Sequence, residues 1–310
     1  MLRWKDMLLL GVTFASMAAG VLLPGPCAPF QPYPVVCMMM LLFLSFLSVR
    51  VADVRDEVRR GWRRIGWFLA YRLVLLPVAV ALLFRAVWPE YGLAALLLTG
   101  VSTGAVASFF SILLQANTGF VLVMTVASSL LVPFTLPPLV ALLFGQTMDL
   151  SVASMMRLLA LVVFVPVVCS EILKKVSSRT AGSLVAWQYE LSLILFAATN
   201  LGVFSQYSDF FFGNPRTLLF AAGAAFLLAG IYLVAGIAAA WRWALPDQMA
   251  AVISLGIMNK ILVIVFSSHF FTPLEPTTAA VYTVPFWLLV LPLRAWRGWR
   301  LRRGGESPGP

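Results

Sequence analysis

Ser254-Leu255-Gly256-Ile257-Met258-Asn259-Lys260 lies in the middle of an apolar run and carries a lysine where a charge is expensive. An ionisable residue at membrane depth marks a functional site unless a partner or a route to water accounts for it. At 1.5 Å per helical residue, Lys260 is about 20 Å from Asp247 at the near end of its run, so snorkelling has to be long. Arg72, in Tyr71-Arg72-Leu73-Val74-Leu75-Leu76-Pro77, lies about 12 Å past Arg64 by the same measure and is submerged too. Each central charge costs at least ~2.5–3.5 kcal/mol on insertion scales.

The surroundings are those of a membrane protein. Of 310 residues 61% are hydrophobic and 11% charged, too little polar surface to cover a soluble globule. Apolar runs long enough to span, about 17–25 residues, fall at 7–23, 35–51, 65–84, 91–115, 119–144, 151–173, 187–204, 217–241, 247–266 and 278–293, which predicts ten transmembrane helices and an all-α fold. The net charge of +10 does not point to nucleic acid, because the basic residues cluster at the ends of apolar runs. Alternating the runs puts Arg3, Lys5, the cluster Arg50 to Arg64, Lys174, Lys175, Arg179, Arg242 and Arg294 to Arg303 on one side, with only Arg85 and Arg216 opposite. That asymmetry predicts a multi-pass protein of the inner (plasma) membrane, embedded in lipid, with both termini cytoplasmic. Cys27, Cys37 and Cys169 have no metal-like spacing, and no nucleophile and base occur together at membrane depth, so no metal, cofactor or enzymatic site is expected.

The chain divides at its centre. Residues 1–145 and 151–293 each hold five runs, and 294–310 form a basic tail expected to be a disordered cytoplasmic segment. In both halves the fourth run is interrupted, by Gly100-Val101-Ser102-Thr103-Gly104-Ala105-Val106-Ala107-Ser108 and by Ser254 to Lys260. Five is odd, so the second repeat is inverted relative to the first, and paired broken helices in inverted repeats are the mark of a secondary transporter with its site near the midplane. Read locally, Gly100 and Gly104 also fit a small-residue packing face. Thr125 and Ser129 share a helical face beside Ser128; such hydroxyls act as ligands or bond their own i−4 carbonyls. Glu190, near the start of the seventh run, is the acid available to pair with Arg72 or Lys260, and that pairing is the structural alternative to a site.

Leu98 to Ser108, Leu114-Gln115-Ala116-Asn117-Thr118-Gly119-Phe120 and Thr125-Val126-Ala127-Ser128-Ser129-Leu130-Leu131-Val132-Pro133 together resemble the fourth and fifth helices of the bile acid:sodium symporter family. The resemblance extends in weaker form from the second run to the tenth. It implies a core domain with crossing broken helices 4 and 9, a panel domain, and import of small organic anions by alternating access coupled to sodium. The departures fall on the ion ligands. Where the family has an amide this chain has Phe109, retaining Ser108; its carboxylate, glutamine and serine at the second break are here Ser254, Met258 and Lys260, with Asn259 kept. A family glutamine on the third helix aligns with Arg72. The expectation is an organic-anion carrier in which Arg72 and Lys260 replace sodium ligands, with Thr103, Ser108, Thr125, Ser128 and Ser129 around them. Two alternatives stay open: a non-transporting, receptor-like relative whose cavity is blocked by Phe109, Met258 and Trp287, and a proton-coupled carrier using Lys260.

Overall fold

The structure, a computed structural model, describes residues 4–145 and 151–303. Arg3 and the tail from residue 304 onward lie outside the described residues. The described chain is helical throughout, its one β-bridge joining the two breaks. In order the main helices are α1 (Trp4–Leu22), α2 (Pro34–Leu47), α3 (Val51–Val87), α4 (Gly92–Gly100), α5 (Ala107–Leu113), α6 (Thr118–Phe144), α7 (Val152–Val176), α8 (Ser178–Ala186), α9 (Gln188–Gln206), α10 (Pro215–Ala239), α11 (Leu245–Gly256), α12 (Lys260–Phe270) and α13 (Leu274–Arg302).

Among the described residues α3, α6, α7, α10 and α13 are long and apolar enough to cross a membrane on their own, and two bent pairs bring the number to seven. The fourth and ninth apolar runs do not pass as single helices, because each is split in two. α4 stops at Gly100 and α5 resumes at Ala107; α11 stops at Gly256 and α12 resumes at Lys260. Side chains supply the caps. Asn117 Oδ1 accepts from the Phe120 N–H at 3.0 Å to start α6, and Asn259 Oδ1 accepts from Leu262 N–H at 3.3 Å to start α12. Pro133, Pro137 and Pro138 lie inside α6 without ending it, as membrane helices tolerate when neighbours satisfy the freed carbonyls.

α3 is irregular twice. Gly61 leaves helical geometry (φ −146°, ψ 33°), and Tyr71–Leu75 widens into a π-helical turn just before Pro77. A π turn removes one residue from register and often marks a functional position; here it carries Arg72. At the far end, α13 runs past residue 294 through the tail's first ten residues instead of fraying. Trp296 stacks on Trp241 at 6.0 Å, and Arg297 bonds Gln115, which gives this basic stretch the packing that its composition alone does not provide.

Two helix groups form. α1 and α2 pack on α9, and α2 also on α7, while α3 packs on α6, and α10 on α11 and the start of α13. The broken helices belong to the second group and face the first across a cavity.

Candidate functional site

The site is built from the two breaks. Val101 is extended (φ −74°, ψ 163°) where α4 ends, and Thr103 pairs antiparallel with Met258. Gly104 N–H donates to Ile257 O and Asn259 N–H to Ser102 O, both at 2.8 Å. The crossing is so close that a Cβ on Gly104 would meet Met258 O at 2.7 Å, so only glycine fits against that backbone.

Unwinding two helices in an apolar interior frees carbonyls that must find donors. Protein side chains supply them. Arg72 donates to Val101 O at 2.8 Å, Thr103 Oγ1 to Ser254 O at 2.9 Å, and Tyr282 OH to Gly256 O at 3.0 Å. Ser128 Oγ accepts from the Thr103 N–H at 3.0 Å, which ties α6 to the first break. Arg72 is 1% exposed, and the hydroxyls of Tyr232 and Tyr282 are its electrostatic neighbours. Tyr232 in turn shares a 2.9 Å hydrogen bond with Thr99. The Arg72 guanidinium is therefore a brace inside the protein, and it does not line the cavity.

Lys260 is placed differently. Its ammonium donates to Thr283 Oγ1 at 2.8 Å and lies 4.7 Å from the Phe286 ring centroid and 5.6 Å from that of Phe196. It lines a cavity of about 550 Å³. An ammonium has three donors, and one hydrogen bond is taken. The walls beside it are Phe109, Met258 and Trp287, with Met38 and Leu41 from α2 and Phe196 from α9 opposite. Phe109, Met258 and Trp287, the candidate blocking residues, thus line open space. No carboxylate lines the cavity, and among the described residues no ion pair joins Glu190 to Arg72 or Lys260.

The remaining candidates divide. Asn259 lines the cavity while capping α12. Ser108 is half-buried on α5, and its carbonyl accepts from Ser111. Thr125 and Ser129 are buried and donate to their own i−4 carbonyls, Val121 O at 2.9 Å and Thr125 O at 2.7 Å. Ser128 does the same to Met124 O, and is the one of the three seen to reach the break. The Ser254 hydroxyl is fully buried with no hydrogen-bond partner, as is that of Ser102. Thr283, Tyr282, Tyr232 and Phe196 were not among the residues expected from sequence. Threonines and aromatics in apolar runs carry no signal of their own until the lysine and the freed carbonyls are placed beside them.

A second polar cluster closes the end of the same helix group. Arg64 pairs with Asp247 and, at 3.7 Å, with Glu57, and it lies over the rings of Phe120 and Trp243 at 5.5 and 5.3 Å. Asn117 Nδ2 donates to Asp247 at 2.7 Å. This network links the starts of α3, α6 and α11, next to the crossing.

Comparison with known proteins bears on the arrangement as a whole. The model of the "Sodium Bile acid symporter family" matches residues 35–214. A protein described as an uncharacterized sodium-dependent transporter, YocS of Bacillus subtilis (strain 168), is 24% identical over 280 residues, covering 88% of this chain and 84% of its own. With more than half of the sequence matched and paired broken helices meeting beside a cavity, the chain belongs to the sodium bile acid symporter family.

Proposed function

We propose that this membrane transporter carries a small organic anion by alternating access, and that protein-borne charge does the work of sodium at its crossing. The observation that carries the reading is Lys260, an ammonium with spare donors lining an apolar cavity that offers no carboxylate. A carboxylate entering this cavity meets one fixed cation, so the favoured cargo is a monoanion with an apolar body. Zwitterions are disfavoured, because nothing in the lining compensates a second, positive charge.

Sodium independence rests on the second buried cation. Unwound half-helices at membrane depth bind cations through freed carbonyls, and here those of Val101, Ser254 and Gly256 are taken by Arg72, Thr103 and Tyr282. A sodium ion would also have to sit beside a guanidinium, with Ser254 where the family has a carboxylate. These residues do not fit the ion as a co-substrate.

In this reading the ten apolar runs are ten spans in two inverted repeats, with α4/α5 and α11/α12 as the crossing helices and α1, α2, α7 and α9 as the panel. Both termini lie in the cytoplasm of a cell whose plasma membrane holds the protein. The cavity, with Val185 and Gln188 at its rim, then opens to the cytoplasmic side, and the structure is the inward-facing state.

A sodium-coupled mechanism is the second reading, favoured by the description of the Bacillus relative as sodium-dependent. Uptake of labelled monocarboxylates into proteoliposomes, with sodium replaced by choline, separates the two. Equal uptake in both salts is expected; strict dependence on sodium sinks the substitution of Arg72 and Lys260 for the ion.

A further inference from the structure

The densest charge in the chain lies away from the cavity. Between Val51 and Arg64, α3 carries Arg55, Arg59, Arg60, Arg63 and Arg64. Its apolar residues Val54 and Val58 pack against the core, which turns Arg59, Arg60 and Arg63 outward. Arg64 alone of the group is drawn in, over Trp243. The departure from helical geometry at Gly61 falls where the charged segment joins the apolar one, and Trp62 there is 63% exposed with the Arg63 guanidinium 5.2 Å from its ring.

The neighbouring segments continue the same chemistry. The loop Trp241-Arg242-Trp243 touches both flanks. Trp243 lies beneath Arg64, while Trp241 stacks on Trp296 and has the Arg300 guanidinium at 5.8 Å. Trp296 also stacks on Trp299 at 5.0 Å. Three stretches far apart in sequence therefore form one continuous arginine–tryptophan rim, with Trp62 and Trp241 more than half exposed. Among the described residues Arg59, Arg60 and Arg63 make no ion pair.

A rim of this kind is not explained by folding, since exposed arginines and indoles gain nothing from one another in water beyond a weak cation–π contact. It is explained by what lies at the end of a membrane span. Indoles partition to the headgroup level. Guanidinium is weakly hydrated and presents forked donors that match phosphate oxygens. We propose that the rim formed by Arg59, Arg60, Arg63, Trp62, Trp241 and Arg300 is a docking surface for the headgroups of anionic phospholipids. It would hold the helix group that bears the crossing against the negatively charged leaflet. The inference needs only a membrane-spanning chain, and neither the cargo nor the coupling ion enters it.

The test uses the full-length protein purified in a neutral detergent. Short-chain phosphatidylglycerol, phosphatidylcholine of the same chain length and inorganic phosphate are titrated separately while the thermal unfolding midpoint is followed. Phosphatidylglycerol is expected to raise the midpoint at a concentration about tenfold or more below that for phosphatidylcholine, and about 0.5 M salt should weaken the difference. At roughly fivefold per surface arginine, the R59Q/R60Q/R63Q variant should need about 100-fold more phosphatidylglycerol, with its midpoint in detergent alone unchanged. Should the triple variant not fold, R60Q by itself is expected to show about a fivefold shift. Equal responses to the two lipids, or unaltered half-saturation in the variants, overturn the proposal. A midpoint rise reproduced by inorganic phosphate also overturns it, because the site would then be one for free anions.

Discussion

Replacing Lys260 by methionine tests the cavity reading where it is most exposed to failure. The ammonium pays for burial at a membrane depth valued at ~2.5–3.5 kcal/mol. Against this stand one charge-assisted hydrogen bond, to Thr283 at 2.8 Å, and two aromatic faces, Phe286 at 4.7 Å and Phe196 at 5.6 Å. A hydrogen bond to a charged group contributes about 1.5–3 kcal/mol and a desolvated cation–π contact about 1–2 kcal/mol. The two sides nearly cancel, and methionine has a similar length without the charge. K260M should therefore keep the stability of the parent to within about 2 kcal/mol. Cargo binding should not survive as well. Losing one charged bond of ~1.5–3 kcal/mol corresponds to about a 10- to 150-fold weaker Kd for an apolar monocarboxylate. The assay is a thermal-shift screen for a binding monocarboxylate, then calorimetric titration of parent and K260M with that acid and with its neutral primary amide. The acid should lose affinity and the amide should not. If the acid binds K260M as it binds the parent, or both compounds lose equally, Lys260 is not the anion's anchor and the reasoning from the cavity fails.

Gly104→Ala forces a Cβ against Met258 O, a backbone atom that cannot swing aside; the expected result is a loss of about 2 kcal/mol or more in thermal stability together with loss of uptake. Tyr282→Phe removes the donor to Gly256 O and should cost about 1–3 kcal/mol by leaving a buried carbonyl unpaired, read as a lowered unfolding midpoint with no change in the salt dependence of uptake. Asp247→Asn breaks the pairing with Arg64, which is part-exposed, so the cost should be only about 1–2 kcal/mol; an unchanged midpoint would mean that the network at the ends of α3, α6 and α11 is solvated and idle. Finally, R72Q/S254E returns two positions to the chemistry the family shows, and its unfolding midpoint should become higher in sodium than in choline, whereas the parent's should be the same in both.

Much of this was legible without coordinates because membrane depth punishes exceptions. Glycine and hydroxyl residues inside apolar runs, and charges far from any end, can persist there only beside other protein or a cavity, so the breaks at Gly100–Ser108 and Ser254–Lys260 and the submerged Arg72 and Lys260 stand out by linear position alone. Thr125, Ser128 and Ser129 show the limit of that reasoning. Their shared face is visible from spacing, but whether a hydroxyl turns to its own helix or to a neighbour depends on what lies opposite, and only Ser128 is seen to meet the extended backbone at Thr103. The same holds for the end of α13, whose helical course through residues beyond 294 depends on Trp241 lying against Trp296.

The two buried cations mark the division most clearly. Sequence alone established that each exists, that each sits too deep to reach water easily, and that no acid is adjacent in the chain. Tertiary structure alone decided that they do different things. Arg72, on its π-helical turn, meets the carbonyl freed at Val101 and is sealed in the protein. Lys260, at the first residue of α12, is carried by the Thr103–Met258 bridge to the edge of a cavity and keeps donors to spare. The physical reason is that burial cost is a property of depth, which a linear run encodes. Which donor meets which carbonyl is a property of two chain segments crossing, and neither segment encodes that by itself.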